Sequence, residues 1–475
     1  MDLFSSVTYI GDGAFCGCSS LGSFNIPSGV TTINPMTFSG CSSLSSVSIP
    51  NSVTSIESEV FNGCTSLTDV EIPSRVTSIG DAAFKDCSSL TSITIPYNMT
   101  SIGNNVFSGC SSLAECIFQS GNTAIGYAAF KGCANLTSIH LPYALTRIGS
   151  AIFSGCSSLT TIDIPASVTY IDSEAFSNCS ALTSLTIPNN VTSIGRSAFS
   201  GCTSLTSIYI PTSVTYISDE AFSNCSALTS LTIPNSVSYI GRSAFRGCTS
   251  LSSINLPNNL TSIANETFTL CSSLTSIDIP ASVTEIGRIA FAGTGLTRVN
   301  IPENVCSIGD MAFTMCSKLA KITVDENNET YDSRNDCNAI IETENSNLII
   351  GCQNTFIPQS VTGIAMGAFM YCDNLRSITI PASVTNIGMM AFVACANLTK
   401  IDVEEGNSNY DSRNSCNAII ETESNTLLVG CQNTVIPQSV TGIGMGAFAL
   451  CTNLKNITIP SNITSIGSNA FAGCI

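Results

Sequence analysis

Apolar and polar residues alternate along this chain in a short pattern that repeats many times. In one copy, Leu205, Ile208 and Ile210 have the spacing of a strand that points alternate side chains inward, and Pro211 follows directly. Because proline has no backbone N–H, it predicts the end of that strand. The pattern therefore predicts one short strand in each copy, with a corner after it.

The second half of each copy carries another apolar pair and then an Ala-Phe pair. In the same copy, Val214 and Ile217 have the spacing of extended or irregular backbone, and Ala221-Phe222 predicts a short helical or 3-10 turn on the opposite side. Eighteen phenylalanines occupy this position, most of them 23 residues apart. They are Phe15, Phe38, Phe61, Phe84, Phe107, Phe130, Phe153, Phe176, Phe199, Phe222, Phe245, Phe268, Phe291, Phe313, Phe369, Phe392, Phe448 and Phe471. A fixed period of about 20 to 50 residues is the signature of a solenoid, whose units bury their apolar faces against their neighbours.

The full repeat, Ile-x-Ile-Pro-x-Ser-Val-Thr-x-Ile-Gly-x-x-Ala-Phe-x-x-Cys, recurs across almost the whole chain. It resembles the BspA-type leucine-rich repeat family, the 23-residue variety found on surface proteins of anaerobic bacteria and some protozoan parasites. The repeat lacks the Asn of the commoner Leu-x-x-Asn motif, so no asparagine ladder is predicted at that position. The resemblance implies adhesion to host or neighbouring-cell surfaces, and a protein that is displayed on the cell surface or secreted.

These observations predict an α/β-type repeat solenoid with leucine-rich repeats. Each 23-residue coil would contribute one short parallel strand, with irregular or 3-10 turns opposite, and strands stacked roughly 4.8 Å apart would form a sheet along one face. We expect residues 1–475 to form a single solenoid of about 18 coils, on the order of 90 Å long at that spacing.

The period breaks twice, in the same way. Phe313 to Phe369 and Phe392 to Phe448 each span 56 residues, which is one 23-residue repeat plus 33 more. Each extra segment has two short apolar runs around a polar turn, which predicts a β-hairpin. We therefore predict two inserted hairpins, near 325–356 and 404–435, and similar hairpin-bearing repeats occur in the family that the chain resembles.

The two insertions concentrate acidic residues and share an Asp-Ser-Arg-Asn motif that contains Arg334 or Arg413. A solvated acidic face, a calcium site and a partner contact are all open, although no EF-hand spacing is present. The shared motif could equally be a local turn in which Asp caps the backbone and Arg pairs with it. The acids are Asp325, Glu326, Glu329, Asp332, Asp336, Asp402, Glu404, Glu405 and Asp411.

Composition and charge narrow the classes of partner. Only 10% of residues are charged and the net charge is −17. Nucleic-acid binding needs basic residues on phosphates, so no nucleic-acid partner is expected, and anionic lipid is disfavoured for the same reason. No run of 18 apolar residues exists, so we expect no membrane insertion in this segment.

Both termini lie inside a repeat, which suggests truncation. The first residues carry no basic group and no signal-peptide core, and the last ones stop within a copy of the repeat. A native signal or anchor could lie outside this sequence. We expect a monomer, with end-to-end association through the outermost coils as the exception.

Seventeen of the 24 cysteines follow a ladder phenylalanine by three residues, which predicts a column of stacked, buried thiols. Cys337, Cys352, Cys416 and Cys431 lie in the insertions and are better candidates for exposure, or for pairing within each hairpin. With a single histidine, His140, and no Cys-x-x-Cys motif, we expect no metal, no cofactor and no catalytic residues.

Outward strand positions are the candidate ligand contacts. The residue between the two strand isoleucines varies from copy to copy, as a surface position does. The leading hypothesis is a non-enzymatic binding module for an extracellular or host-surface protein or glycan, and the alternative is a structural spacer or self-associating rod. Candidate contacts are His140, Asp163, Tyr209, Asp278, Arg334 and Arg413.

Overall fold

The computed structural model describes residues 6–121 and 123–474. The chain divides into two compact units, Met1–Leu251 and Ser252–Ile475, called unit 1 and unit 2 below. Both are solenoids of stacked coils with parallel strands, and together they contain about 19 coils. That all residues form a single domain stays a prediction.

The strands predicted from the Ile-x-Ile pattern form what we call the primary ladder. In Ser207–Tyr209 the middle residue, Ile208, is buried while its two neighbours face solvent, because side chains alternate along a strand. Leu185 pairs with Ile208, so the parallel register shifts by one 23-residue copy per coil. In unit 1 these strands are Ser23–Asn25, Ser46–Ser48, Ser92–Ile95, Glu115–Phe118, Ser184–Thr186, Ser207–Tyr209 and Ser230–Thr232. In unit 2 they are Ser253–Asn255, Arg298–Ile301, Lys321–Val324, Ser377–Ile380 and Lys400–Val403.

A second parallel ladder follows the corner. Its two-residue strands end on the Ile of Thr-x-Ile, and Ile171 pairs with Ile194. In unit 1 this secondary ladder comprises Thr32–Ile33, Ser55–Ile56, Ser78–Ile79, Ser101–Ile102, Ala124–Ile125, Arg147–Ile148, Tyr170–Ile171, Ser193–Ile194, Tyr216–Ile217 and Tyr239–Ile240. In unit 2 it comprises Ser262–Ile263, Glu285–Ile286, Ser307–Ile308, Gly363–Ile364, Asn386–Ile387, Gly442–Ile443 and Ser465–Ile466.

The phenylalanine rings form a stacked column inside each unit. Successive rings of unit 1, from Phe15 to Phe245, have centroids between 5.2 and 5.7 Å apart. In unit 2, Phe369 and Phe392 stack at 4.9 Å. Nearly parallel stacking with some offset suits the charge distribution of aromatic rings, so the column forms the centre of each coil.

The backbone around each phenylalanine is a series of turns and not a helix. Residues two before and two after the ring adopt left-handed conformations, as Glu220 (φ 58°) and Asn224 (φ 59°) do around Phe222. Each turn therefore donates three N–H groups to the next coil, and Phe222 N–H donates to Ala244 O at 2.8 Å. The described residues contain no α-helix, so the α/β designation is not supported and the predicted helical turn is wrong. The two 3-10 segments, Arg334–Asp336 and Arg413–Ser415, lie in the insertions.

Each insertion contributes three strands and not an isolated hairpin. In the first, Tyr331–Asp332, Ala339–Glu342 and Asn347–Gly351 are antiparallel, and the last strand then pairs in parallel with Gly363–Ile364 of the secondary ladder. The insertion thus supplies an extra rung of that ladder. The second insertion repeats this with Tyr410–Asp411, Ala418–Glu421 and Thr426–Gly430.

Glycine takes the place of phenylalanine in each insertion. Gly351 N–H donates to Ala368 O at 2.9 Å, as Phe369 N–H donates to Ala391 O in the next coil. A Cβ on Gly351 would lie 2.1 Å from Phe369 Cε1, and Gly430 meets Phe448 at the same distance. Only a residue without a side chain fits there, because the phenyl ring of the following coil occupies the space.

The many Ser and Thr residues bind one coil to the previous one. Ser213 Oγ donates to Val191 O at 2.6 Å, and Thr215 Oγ1 donates to Thr192 O at 3.3 Å. Equivalent bonds recur at the same corners in other coils, so the hydroxyl groups are part of the ladder as well as of the surface.

The thiol column is buried through most of unit 1. From Cys41 to Cys248, each ladder thiol donates to the phenylalanine carbonyl of the preceding coil, with Sγ–O distances of 3.1 to 3.2 Å. Cys18 is exposed, and Cys372 of unit 2 is partly buried. The insertion cysteines, predicted to be exposed or paired, are buried free thiols, because the inserted strands pack against the core.

Candidate functional site

A shallow groove crosses the primary ladder of unit 1. It runs over three consecutive coils and is lined by the outward residues Asp163, Thr186 and Tyr209. The period-two alternation of the strands places these side chains on the solvent side, while Ile162, Leu185 and Ile208 point into the core. We call this the sheet groove.

Tyr209 forms the ridge at one side of the sheet groove. Its side chain is 60% exposed, and it also lines a second depression, which continues over Thr212, Thr232 and Pro234. Tyrosine offers a rigid apolar face with a polar tip, and such residues dominate the energetics of many interfaces. The ring therefore presents an apolar platform with hydroxyl groups on both sides.

Asp163 supplies a carboxylate to the opposite part of the groove. It pairs with His140 of the preceding coil through an isolated parallel bridge, which puts both side chains on the same face. Both residues are exposed. Of the residues selected from the sequence, Asp163 and Tyr209 thus line the groove, and His140 lies beside Asp163 on the same face.

The groove also contains residues that the outward strand positions did not reveal. Asn189 and Asn190 follow the strand-ending Pro188 and face the groove from the corner. Both are exposed, and Asn190 Nδ2 donates to Ala166 O at 2.8 Å, which fixes that corner. The sequence signal that could have identified them is an asparagine after a strand-ending proline, because residues at the corner border the same face as the outward residues of the strand.

The other selected residues lie in unit 2 and differ in their surroundings. Asp278 is exposed. Arg334 Nε donates to both carboxylate oxygens of Asp332, at 2.8 and 3.0 Å, and the Arg334 N–H donates to the same carboxylate at 3.1 Å. The Asp332 interaction raises the pKa of Arg334.

Arg413 makes the matching contacts with Asp411, and its Nη1 also donates to Asn425 Oδ1 at 2.8 Å. This is the local turn that the sequence offered as an alternative, and it occupies the donors of both arginines. A ligand contact at Arg334 or Arg413 stays a prediction.

Two acids of the insertions accept hydrogen bonds from amide groups of the chain. Asp325 Oδ1 accepts the Asn327 N–H at 3.0 Å, and both oxygens of Glu404 accept from Gln359 Nε2 at 2.7 Å. Within residues 6–121 and 123–474, no group of three or more His, Cys, Asp or Glu side chains is arranged to hold a metal ion. Over the same part of the chain, no helix is long and apolar enough to span a membrane.

The repeat itself decides the family. The model of the BspA type leucine rich repeat region matches six copies, over residues 1–114, 123–252, 239–337, 346–423 and 419–475. The chain belongs to the BspA-type leucine-rich repeat family. The resemblance seen in the sequence is thereby confirmed.

The chain is similar to solved structures of leucine-rich repeat proteins. A leucine-rich repeat protein from Bacteroides ovatus is 33% identical, with a TM-score of 0.61, over 70% of this chain and 88% of that protein. A leucine rich cell surface protein from Faecalibacterium prausnitzii is 32% identical over 71% of this chain and 85% of that protein, with a TM-score of 0.49. No curated protein matches the chain.

Proposed function

We propose that this BspA-type protein is a non-enzymatic binding or adhesion module, displayed on the cell surface or secreted. Its partner would be an extracellular or host-surface protein or glycan. The observation that carries the proposal is the sheet groove, in which the exposed ring of Tyr209 lies on the same face as Asp163 and Thr186. An aromatic platform beside hydroxyl and carboxylate groups suits a ligand that has both apolar and hydrogen-bonding faces.

The family and its relatives support the setting. The similar protein from Faecalibacterium prausnitzii is described as a cell surface protein. Repeat proteins use the extended surface of the stacked coils for binding, since outward residues can vary while the inward ones stay fixed. The acidic net charge of −17 is compatible with a protein or glycan partner and unfavourable for nucleic acid.

The surroundings of His140 support a non-enzymatic role. His140 is the only histidine of the chain, and it is an exposed strand residue bridged to Asp163. General acid–base or nucleophilic chemistry uses two or three such groups held in mutual contact. We therefore propose that these residues contact a ligand without transforming it.

Binding measurements with a matched pair of variants test the proposal. The wild-type chain, Tyr209→Ala and Tyr97→Ala are screened against a glycan array and a panel of extracellular-matrix proteins. Tyr97 is similarly exposed, at 63%, but it lies outside the sheet groove. We expect a ligand that binds wild type and Tyr97→Ala equally and Tyr209→Ala at least tenfold more weakly. Equal binding by all three would contradict the assignment of the groove.

A structural spacer or self-associating rod is the second candidate, and one observation favours it. Residues 180–188 and 226–234 have the identical sequence Ser-Ala-Leu-Thr-Ser-Leu-Thr-Ile-Pro, so two stretches of the surface that lie two coils apart are the same. A spacer would bind nothing in either panel, and its variants at Tyr209 would behave as wild type. Concentration-dependent sedimentation would then distinguish a self-associating rod from an inert spacer.

A further inference from the structure

Unit 2 contains an apolar cavity, partly open to solvent, beside the second insertion, on residues that the sheet groove does not use. Its volume is about 200 Å³, and its walls include Met390, Phe392, Val393, Leu428 and Gly430. None of its sixteen lining residues carries a charged, hydroxyl or amide side chain. Side chains of this kind offer no partner to a charged group and favour uncharged apolar ligands.

The cavity lies beside Gly430, which takes a phenylalanine position without supplying a ring. The ring of Phe448 fills the space directly against Gly430, and the cavity is lined by Gly430 together with Phe392. Phe392 has the ring of Phe369 stacked on it at 4.9 Å. The wall of the cavity therefore includes an aromatic residue that a second ring can contact.

The first insertion has different side chains at two of the positions that line the cavity. Positions in the two insertions correspond with an offset of 79 residues, as Gly351 and Gly430 do. At the position of Ala449 the first insertion has Met370, and at the position of Val393 it has Thr314. Thr314 Oγ1 donates to the backbone oxygen of Met370 at 3.3 Å, so the two positions are adjacent. The second insertion therefore has a methyl group at a lining position where the first has the longer side chain of methionine.

The mouth of the cavity is formed by flexible side chains. Met389, Met390 and Met445 are 63%, 47% and 47% exposed. Methionine is unbranched and polarizable, and it makes favourable contacts with aromatic rings. These residues can move aside for a ligand and then cover it.

We propose that this cavity is a binding site for a small uncharged aromatic molecule, one ring with a short substituent. The size agrees, because an apolar cavity of about 150 Å³ already accommodates benzene. The proposal does not depend on the function of the sheet groove.

Calorimetric titration of the full chain with toluene, indole and n-octanol tests it. We expect one equivalent of toluene or indole to bind wild type, and Ala449→Met to weaken that binding at least tenfold by filling the cavity with the residue of the first insertion. Met370→Ala opens the corresponding space in the first insertion and is expected to add a second equivalent. Val393→Thr copies Thr314, puts a hydroxyl group in the wall and weakens binding without adding bulk.

Thermal melting first establishes that each variant is folded, so that a change in affinity can be assigned to the cavity. Unchanged affinity in Ala449→Met and Val393→Thr would overturn the site. Binding of n-octanol without toluene or indole would overturn the aromatic assignment. If wild type binds none of the probes, the proposal is wrong, and the alternative is that a side chain of a protein partner occupies the cavity. Should Ala449→Met fail to fold, Val393→Thr and Met370→Ala still decide the question.

Discussion

Individual phenylalanines hold neighbouring coils together. The ring of Phe222 lies 5.3 Å from Phe199 and 5.6 Å from Phe245, and it has no exposed surface. Its carbonyl accepts the thiol of Cys248 from the following coil. A substitution at this position therefore affects the coil before and the coil after, whereas Tyr209 on the sheet face contacts solvent.

Replacement of Phe222 by Ala is expected to destabilise the fold by about 3–5 kcal/mol, because the stacked column cannot collapse into the cavity that remains. Tyr209→Ala should lower the free energy of unfolding much less, since the ring of Tyr209 is already largely exposed to water. Chemical denaturation of the two variants beside wild type measures both values. Similar losses would mean that the inward and outward sides of the coil have been assigned wrongly.

At the scale of the elements, the insertions are parts of the ladder and not appendages. Tyr331 Oη accepts the N–H of Ile308 at 3.1 Å, and Tyr410 Oη accepts that of Ile387 at the same distance. Each tyrosine thus satisfies a strand of the coil before its insertion, while the last inserted strand pairs with the coil after it. The insertions continue the secondary ladder where the repeat is interrupted.

Gly351→Ala is expected to destabilise unit 2 by about 1–3 kcal/mol, because the added methyl group would overlap the ring of Phe369 and force it to move. Gly22→Ala is the control, since its Cβ would meet nothing within 4 Å and its φ is not left-handed. Thermal unfolding of both variants gives the comparison. An unchanged melting temperature for Gly351→Ala would show that the phenyl ring yields freely.

The sequence predicts the ladders better than the turns, for a physical reason. Inward and outward strand positions follow from alternation, so Ile208 and Tyr209 could be assigned before the structure. The left-handed residues around Phe222 could not, because Glu220 has no preference for that conformation and only the hydrogen bonds to the next coil impose it. The role of Gly351 could not be predicted for the same reason, since it depends on the ring of Phe369 in the following coil.

The candidate site likewise has features that the sequence predicts and features that it does not. Alternation along the strands predicted that His140, Asp163 and Tyr209 face outward, and the constant register aligned them on one surface. The contribution of Asn189 and the cavity beside Gly430 depend on how corners and insertions pack in three dimensions, which a linear pattern does not specify.

Over the whole molecule, buried thiols couple stability to alkaline pH. Burial raises the pKa of Cys202 and Cys248 from 9.0 to about 12, and that of Cys225 well above 9.0. Their folded-state pKa values exceed the unfolded value, so the folded state keeps protons that the unfolded chain loses. The stability that they contribute is fully present below about pH 9 and declines as the pH rises towards 12.

We therefore expect the free energy of unfolding to fall steeply between pH 9 and 11, by roughly 1.4 kcal/mol per pH unit for each fully buried thiol. Denaturant unfolding under reducing conditions at a series of pH values measures the slope. In a Cys202→Ala variant, the decrease in the free energy of unfolding per pH unit should be smaller by the contribution of one thiol. A pH-independent stability over this range would mean that the thiols are accessible to solvent in the folded protein.

The constant 23-residue register also has a genetic consequence. The identical segments 180–188 and 226–234 lie 46 residues apart, which is two whole coils. A deletion or duplication of the 46 codons between their starting points would remove or add two complete coils, and the new junction would bring together a phenylalanine, a thiol and hydroxyl groups that already match. Such a change in length would leave the register of the ladder across the junction intact.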